Sequence, residues 1–258
     1  MSIFAKKLRD MLMIILSAVL PALAMLYFIY TKDMYQREPG RMIWKGFLYG
    51  VGSALLSMLI TFPYHNLLPS AEGVLSFKES LQLATLGAGA PEEAAKLILL
   101  MLFLRKNPYF NEWMDGIVYA VCIGMGFAAF ENISYVFGNI ESWLSVSVLR
   151  GLVSIPGHFF FAVTMGYFFS RACFGNQDKR TLNFILAWLV PMLLHSAFDT
   201  LLMASSQGGI IATGCGALFI GLFLYMYIVS KKRIAAHLKE DEATMTWTMG
   251  DQLPPDQQ

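Results

Sequence analysis

Seven apolar runs, at roughly 11–31, 44–66, 83–104, 116–138, 144–170, 182–204 and 209–230, set what this chain can fold into. Each is close to the ~20 residues that a helix needs to cross the hydrocarbon core of a bilayer. In that core no water satisfies backbone N–H and C=O groups, so such runs cross as helices. The expected fold is an all-α, polytopic membrane helical bundle of about seven transmembrane helices. The count becomes eight if the fifth run, broken at Pro156-Gly157, divides into a half-helix and a span. Residues 1–230 form the transmembrane domain. The polar stretch 231–258, ending "QLPPDQQ", reads as a disordered cytoplasmic tail.

Composition removes several classes. The 258 residues are 56% hydrophobic and 14% charged, whereas soluble domains carry ~25% charged residues. A net charge of +1 argues against nucleic acid as a partner and leaves the lipid bilayer as the chain's surroundings. Cys122, Cys173 and Cys215 fall singly inside apolar runs, so they are neither a disulfide framework nor a zinc ribbon. The first run has the basic flank (Lys6, Lys7, Arg9) and the "ALA" of a signal peptide at 22–24. Its apolar stretch nevertheless continues to Tyr30, so it reads as a retained span.

Lysine and arginine choose the orientation. With seven spans and the N-terminus outside, thirteen of the 19 basic residues lie in inner segments and four lie outside; Lys96 and Arg150 remain within spans. The opposite orientation reverses that bias. The expected location is the plasma membrane, with the C-terminus cytoplasmic.

Against this apolar background stand residues that cost ~2.5–3.5 kcal/mol each near a bilayer centre. "EEAAK" places Glu92, Glu93 and Lys96 in the third run, and "FAAFEN" places Phe127, Glu131 and Asn132 in the fourth. "IPGHFFF" places His158 in the fifth, and "HSAFD" places His195 and Asp199 in the sixth. Positions i and i+4 share a helix face, so Glu92/Lys96, Phe127/Glu131 and His195/Asp199 can each point into the bundle. At ~1.5 Å per residue, these groups fall about 8–14 Å below the outer surface, with His158 a little deeper. Taken singly, each is more simply a neutralised packing element. Four helices offering carboxylates and imidazoles to one layer are harder to explain that way. Arg150, two turns before His158, is a further charge near the outer end, while His65 and His237 read as structural or solvated.

The ordered set resembles the PrsW family of intramembrane proteases, a branch of the superfamily of type II CAAX prenyl endopeptidases. The superfamily pattern is a glutamate pair, then F-x-x-x-H or F-x-x-x-E, then H-x-x-x-N or H-x-x-x-D. "EEAAK", "FAAFEN" and "HSAFD" match it in order, and the opening "PALAMLYFIYTKDMYQREP" is also similar, so the likeness covers about 19–205. Where the prenyl enzymes carry a histidine after F-x-x-x, this chain carries Glu131, which leaves His158 as the candidate for that histidine's task. The resemblance implies an endopeptidase acting on membrane-anchored proteins near the outer face, with site-1 cleavage of an anti-sigma factor or similar regulator as the type case.

Peptide hydrolysis inside a membrane needs a water, a base and oxyanion stabilisation. By resemblance and by chemistry, Glu92 is the expected base, with Glu93 as acid or orienter and Lys96 holding the remaining charge. His158 or His195 shares the water or donates to the oxyanion, and Glu131 or Asp199 orients an imidazole; Arg150 and Asn132 balance and orient charge. No cofactor is favoured. Zinc is the alternative, with Glu92, His158, His195 and Asp199 as candidate ligands, but no H-E-x-x-H is present and the four carboxylates suit proton sharing without a metal. Two rival functions use the same buried polar residues, an ion- or proton-coupled transporter and a noncatalytic scaffold. The absence of related halves counts against the first, and the intact motif set counts against the second.

Overall fold

The computed structural model describes residues 3–70 and 73–250. Its principal elements are α1 (Ile3–Lys32), α2 (Gly40–Thr61), α3 (Phe77–Gln82), α4 (Ala90–Leu104), α5 (Trp113–Gly138), α6 (Trp143–Leu152), α7 (Ser154–Phe174), α8 (Arg180–Ala204) and α9 (Gly209–Gly250). Short 3₁₀ turns and one π segment complete it, and no strand occurs among the described residues. The chain is therefore the all-α helical membrane bundle expected from its apolar runs.

Helix α5 is the axis of that bundle. It is apolar all round, and most of its residues are buried, as expected of a helix with neighbours on every side. Packing α1, α2, α4, α7 and α9 around it requires close backbone approaches. A Cβ on Gly126 would lie 1.9 Å from the Phe47 carbonyl oxygen of α2, and one on Gly166 of α7 would lie 2.3 Å from that of Gly116. Small residues at such crossings are what intramembrane packing selects, because lipid offers no hydrophobic drive to hold helices together.

Among the described residues six helical stretches are long and apolar enough to cross a membrane, one fewer than the seven runs. The difference is the third run. Helix α4 has 15 residues, about 22 Å at ~1.5 Å per residue, short of a ~30 Å core. It is lengthened by the π segment Leu83–Gly89 and by α3, whose Ser76 and Glu79 form a reciprocal N-terminal cap. Pro91, in the first turn of α4, has no N–H to give to the preceding turn. The chain enters α4 in the wider π register, with the Ala90 N–H reaching the Thr85 carbonyl. The fifth run resolves into the half-helix α6 and the span α7, which part at Val153 (φ −118°, ψ −63°). Pro156 then falls in the first turn of α7, where its missing N–H does least harm.

The tail expected to be disordered from 231 instead continues α9 as helix through Gly250; residues 251–258 lie outside the described residues. Ile234, His237 and Asp241 turn one face of this extension inward. The Asp241 carboxylate accepts the backbone N–H groups of Trp113 (2.7 Å) and Met114 (2.9 Å), capping α5 from a distant part of the chain. His237 is buried, stacked on Tyr167. The dense charge of this stretch masked an amphipathic helix. At the same end, burial pushes Asp33 up to about 6 and Glu38 to about 7, and Tyr119 donates to Glu38.

Candidate active site

Glu92 and Glu93 occupy the first turn of α4, directly after the π segment, the kind of irregularity that recurs at functional sites. Gly89, just before them, lets α4 approach α8: a Cβ there would lie 2.4 Å from Ser196 Oγ. The Trp188 indole N–H reaches the Ala90 carbonyl at 3.3 Å, a second tie between the two helices. His195 of α8 is thereby held against the glutamate pair, and His158 of α7 completes the group from the other side.

Glu93 is completely buried, and its Oε1 is shared. It accepts from Lys96 Nζ at 2.8 Å and from His195 Nδ1 at 2.9 Å. A carboxylate oxygen paired with an ammonium can only accept, so Nδ1 of His195 carries the hydrogen and Nε2 is turned outward. Asp199 Oδ2 lies 3.4 Å from that Nε2 and Glu92 Oε2 lies 3.9 Å from it. His158 is held in the opposite sense. Lys96 Nζ, a donor only, stands 3.2 Å from its Nδ1, so Nε2 carries the hydrogen and gives it to Glu131 Oε2 at 2.8 Å. Each imidazole is thus oriented by its own carboxylate.

Arg150 of the half-helix α6 ion-pairs with Glu131 at 2.9 Å and donates through Nε to Asn132 Oδ1. The Asn132 amide in turn donates to the Ala18 carbonyl of α1, so Asn132 positions the arginine without facing the cluster. Lys96 also lies 3.8 Å from the Phe127 ring centroid, which lets an ammonium be buried beside an aromatic face. All ten residues singled out in the sequence, Phe127 among them, are therefore in one connected network. One member was not foreseen: Phe161, whose ring stacks on His195 at 4.6 Å and 19°. Its only signal is its place three residues after His158, on the same face of α7.

The two glutamates of the pair differ in access. The Glu92 side chain is 14% exposed and that of Glu93 is 0%. Glu131 and Asp199 are also partly exposed, so Glu92, Glu131 and Asp199 line the reachable side of the cluster and Glu93 its sealed back. Glu92 Oε2 is buried and makes no hydrogen bond. One ligand atom each from Glu92, His158 and His195 lies within 4.8 Å of the others. Two imidazoles and a carboxylate are a zinc-type donor set, and both histidines have the carboxylate behind them that metal-ligating imidazoles usually have. The residues fit such an ion. Asp199 stands outside this triad, beside His195.

A helical membrane bundle that holds a partly accessible acid–imidazole cluster within its spans is the frame of an intramembrane peptidase. The chain belongs to the PrsW family: the family model described as "PrsW family intramembrane metalloprotease" matches residues 38–230. It is similar to "Protease PrsW" of Clostridioides difficile, 38% identical over 76% of this chain and 82% of that protein. It is also similar to the proteins of the same name from Geobacillus kaustophilus (33%; 83% and 87%) and Bacillus subtilis (33%; 76% and 86%). No solved structure matches the chain. The protein is a membrane-embedded endopeptidase.

The difference in access makes separate predictions for the two glutamates. Glu92→Gln should fold and accumulate normally while proteolysis falls about 10²–10⁴-fold. Glu93→Gln should lose activity and also about 3–5 kcal/mol of stability, because it leaves Lys96 buried beside a weakened partner. Thermal unfolding in detergent beside a cleavage assay reads both, and equal stability losses would remove the distinction.

Proposed function

We propose that this endopeptidase cuts membrane-anchored proteins close to the outer face of the plasma membrane, as the first cut in regulated proteolysis of an anti-sigma factor or similar regulator. Its supporting observation is the layer in which the network lies. Glu92 is three residues into α4, His158 is five into α7, and Glu131 and Asp199 are seven and five residues before the ends of α5 and α8. All are nearer to one end of the bundle, within about 12 Å of it. The bias of basic residues assigns that end to the outside, with the N-terminus out and the C-terminus in. A phosphatase fused after Lys239 should then be inactive while a fluorescent reporter at the same place should glow; external phosphatase activity would invert the assignment.

In this reading Glu92, His195 through Nε2 and His158 through Nδ1 would hold a zinc ion, with Lys96 giving up its 3.2 Å contact to that Nδ1 and keeping Glu93. Bound zinc would lower the pKa of a coordinated water and polarise the scissile carbonyl. Charge supports it: Glu92, Glu93, Glu131 and Asp199 face only two permanent cations, Lys96 and Arg150, an imbalance that a divalent ion removes. Glu93 and Glu131 keep the two imidazoles oriented. Asp199, reachable and beside His195, is placed to take a proton from the attacking water and return it to the amine as the C–N bond breaks. Phe161 covers the face of His195 and keeps bulk water from it.

A second reading keeps Glu92 as a general base with no metal. It is favoured by Lys96, whose ammonium is already 3.6 Å from Glu92 Oε2 and 3.2 Å from His158 Nδ1 and neutralises part of the same charge. Chelation separates the two. The zinc reading predicts that a strong chelator abolishes cleavage by the purified full-length enzyme and that one equivalent of zinc restores it. Full activity in chelator would assign the chemistry to the carboxylates alone.

A further inference from the structure

On the far side of α7 from the catalytic network lies a cleft of about 650 Å³ between α1, α7 and α9. Phe159 and Phe160 follow His158 in the chain but turn away from it, Phe159 to Phe28 of α1 and Phe160 to Phe223 and Tyr227 of α9. They form the back wall, with Met25, Phe28 and Tyr227 as sides. Its size is that of a cleft which takes a small ligand. Two lysines stand at its lip: Lys32, the last residue of α1, and Lys231 of α9, both exposed. Each lies over an aromatic ring of its own helix, and among the described residues neither has an ion-pair partner and no carboxylate lines the cleft.

One further group points into this cleft without a use in the fold. Ser230 is 2% exposed, lines the cleft, and its hydroxyl has no hydrogen-bond partner. Buried serines of other helices, Ser53 and Ser57 of α2 and Ser196 of α8, donate to a carbonyl of the preceding turn, the ordinary resort of a hydroxyl in an apolar helix. An unused donor in a buried apolar wall is destabilising unless something arrives to accept from it.

We propose that this cleft binds one anionic glycerophospholipid, with an acyl chain against Phe28, Phe159 and Phe160, the phosphate between Lys32 and Lys231, and an ester or phosphate oxygen accepting from Ser230. The occupant follows from charge complementarity. An apolar cleft open to a bilayer fills with acyl chain, and two unpaired ammonium groups at its lip select an anionic headgroup over a zwitterionic one. The site lies against α7, the helix that carries His158, on its opposite face. The assignment does not depend on the metal or on the protein substrate.

Native mass spectrometry of the full-length protein, released from nanodiscs of equal phosphatidylglycerol and phosphatidylcholine, tests it. The wild-type protein should retain one phosphatidylglycerol in preference to phosphatidylcholine. The double variant Lys32→Gln/Lys231→Gln should lose about thirtyfold of that preference, from ~1 kcal/mol per lysine near a lipid surface. Ala235→Trp, which fills the cleft without touching either charge, should abolish retention, whereas Lys179→Gln should leave it unchanged. Equal retention of the two lipids by the wild type, unchanged preference in the double variant, or a like loss in Lys179→Gln would overturn the proposal. So would a benzophenone side chain at Phe28 that crosslinks to protein rather than lipid.

Discussion

The hydrogen bonds at Glu93 Oε1 carry the structure of the site. One buried oxygen accepts from the Lys96 ammonium of its own helix and from the His195 imidazole of α8. A charge sealed among apolar helices is tolerable only when its partners are fixed and close, and removing any one strands the others. From that oxygen the remaining contacts follow in order. Lys96 reaches back toward Glu92 and across to His158, His158 donates to Glu131, and Glu131 is held by Arg150. Four spans and a half-helix are joined by one chain of charged hydrogen bonds, in a medium where packing alone joins helices weakly.

The rest of the fold serves to place those contacts. Helix α5 is a rigid post because glycines at 116 and 126 let α7 and α2 close on it. The π segment before α4 and Gly89 bring the glutamate pair against α8. The break at Val153 frees α6 to present Arg150 to Glu131. Irregular backbone is costly in lipid, and here it falls beside the polar residues or where it is covered by neighbouring helices.

Much of this was legible in the sequence. The apolar runs marked the helices, and i, i+4 pairs in "EEAAK", "FAAFEN" and "HSAFD" marked which faces turn inward. The ordered set of those motifs pointed to the family. The alternatives at Pro156-Gly157 were both visible, and the half-helix prevailed because Pro156 sits easily in a first turn but not in a helix interior. Three features could not be read locally. The short α4 depends on a π register that no residue type announces. The helix beyond Ser230 looked solvated because its stabilising contact, Asp241 to the start of α5, joins residues more than a hundred positions apart. The split between a reachable Glu92 and a sealed Glu93 depends on which neighbour covers each, and adjacency in sequence carries no sign of it.

Two carboxylates hold the two intramembrane imidazoles in opposite senses, and the site depends on that pairing. The chain has four histidines, so ¹⁵N NMR of histidine-labelled full-length protein can read each ring. Hydrogen is expected on Nδ1 of His195 and on Nε2 of His158, with Glu93→Gln disturbing the His195 signal more than that of His158, which it reaches only through Lys96, and Glu131→Gln disturbing the His158 signal more than that of His195. A bare Nδ1 on His195, a bare Nε2 on His158, or signals indifferent to both substitutions would contradict it.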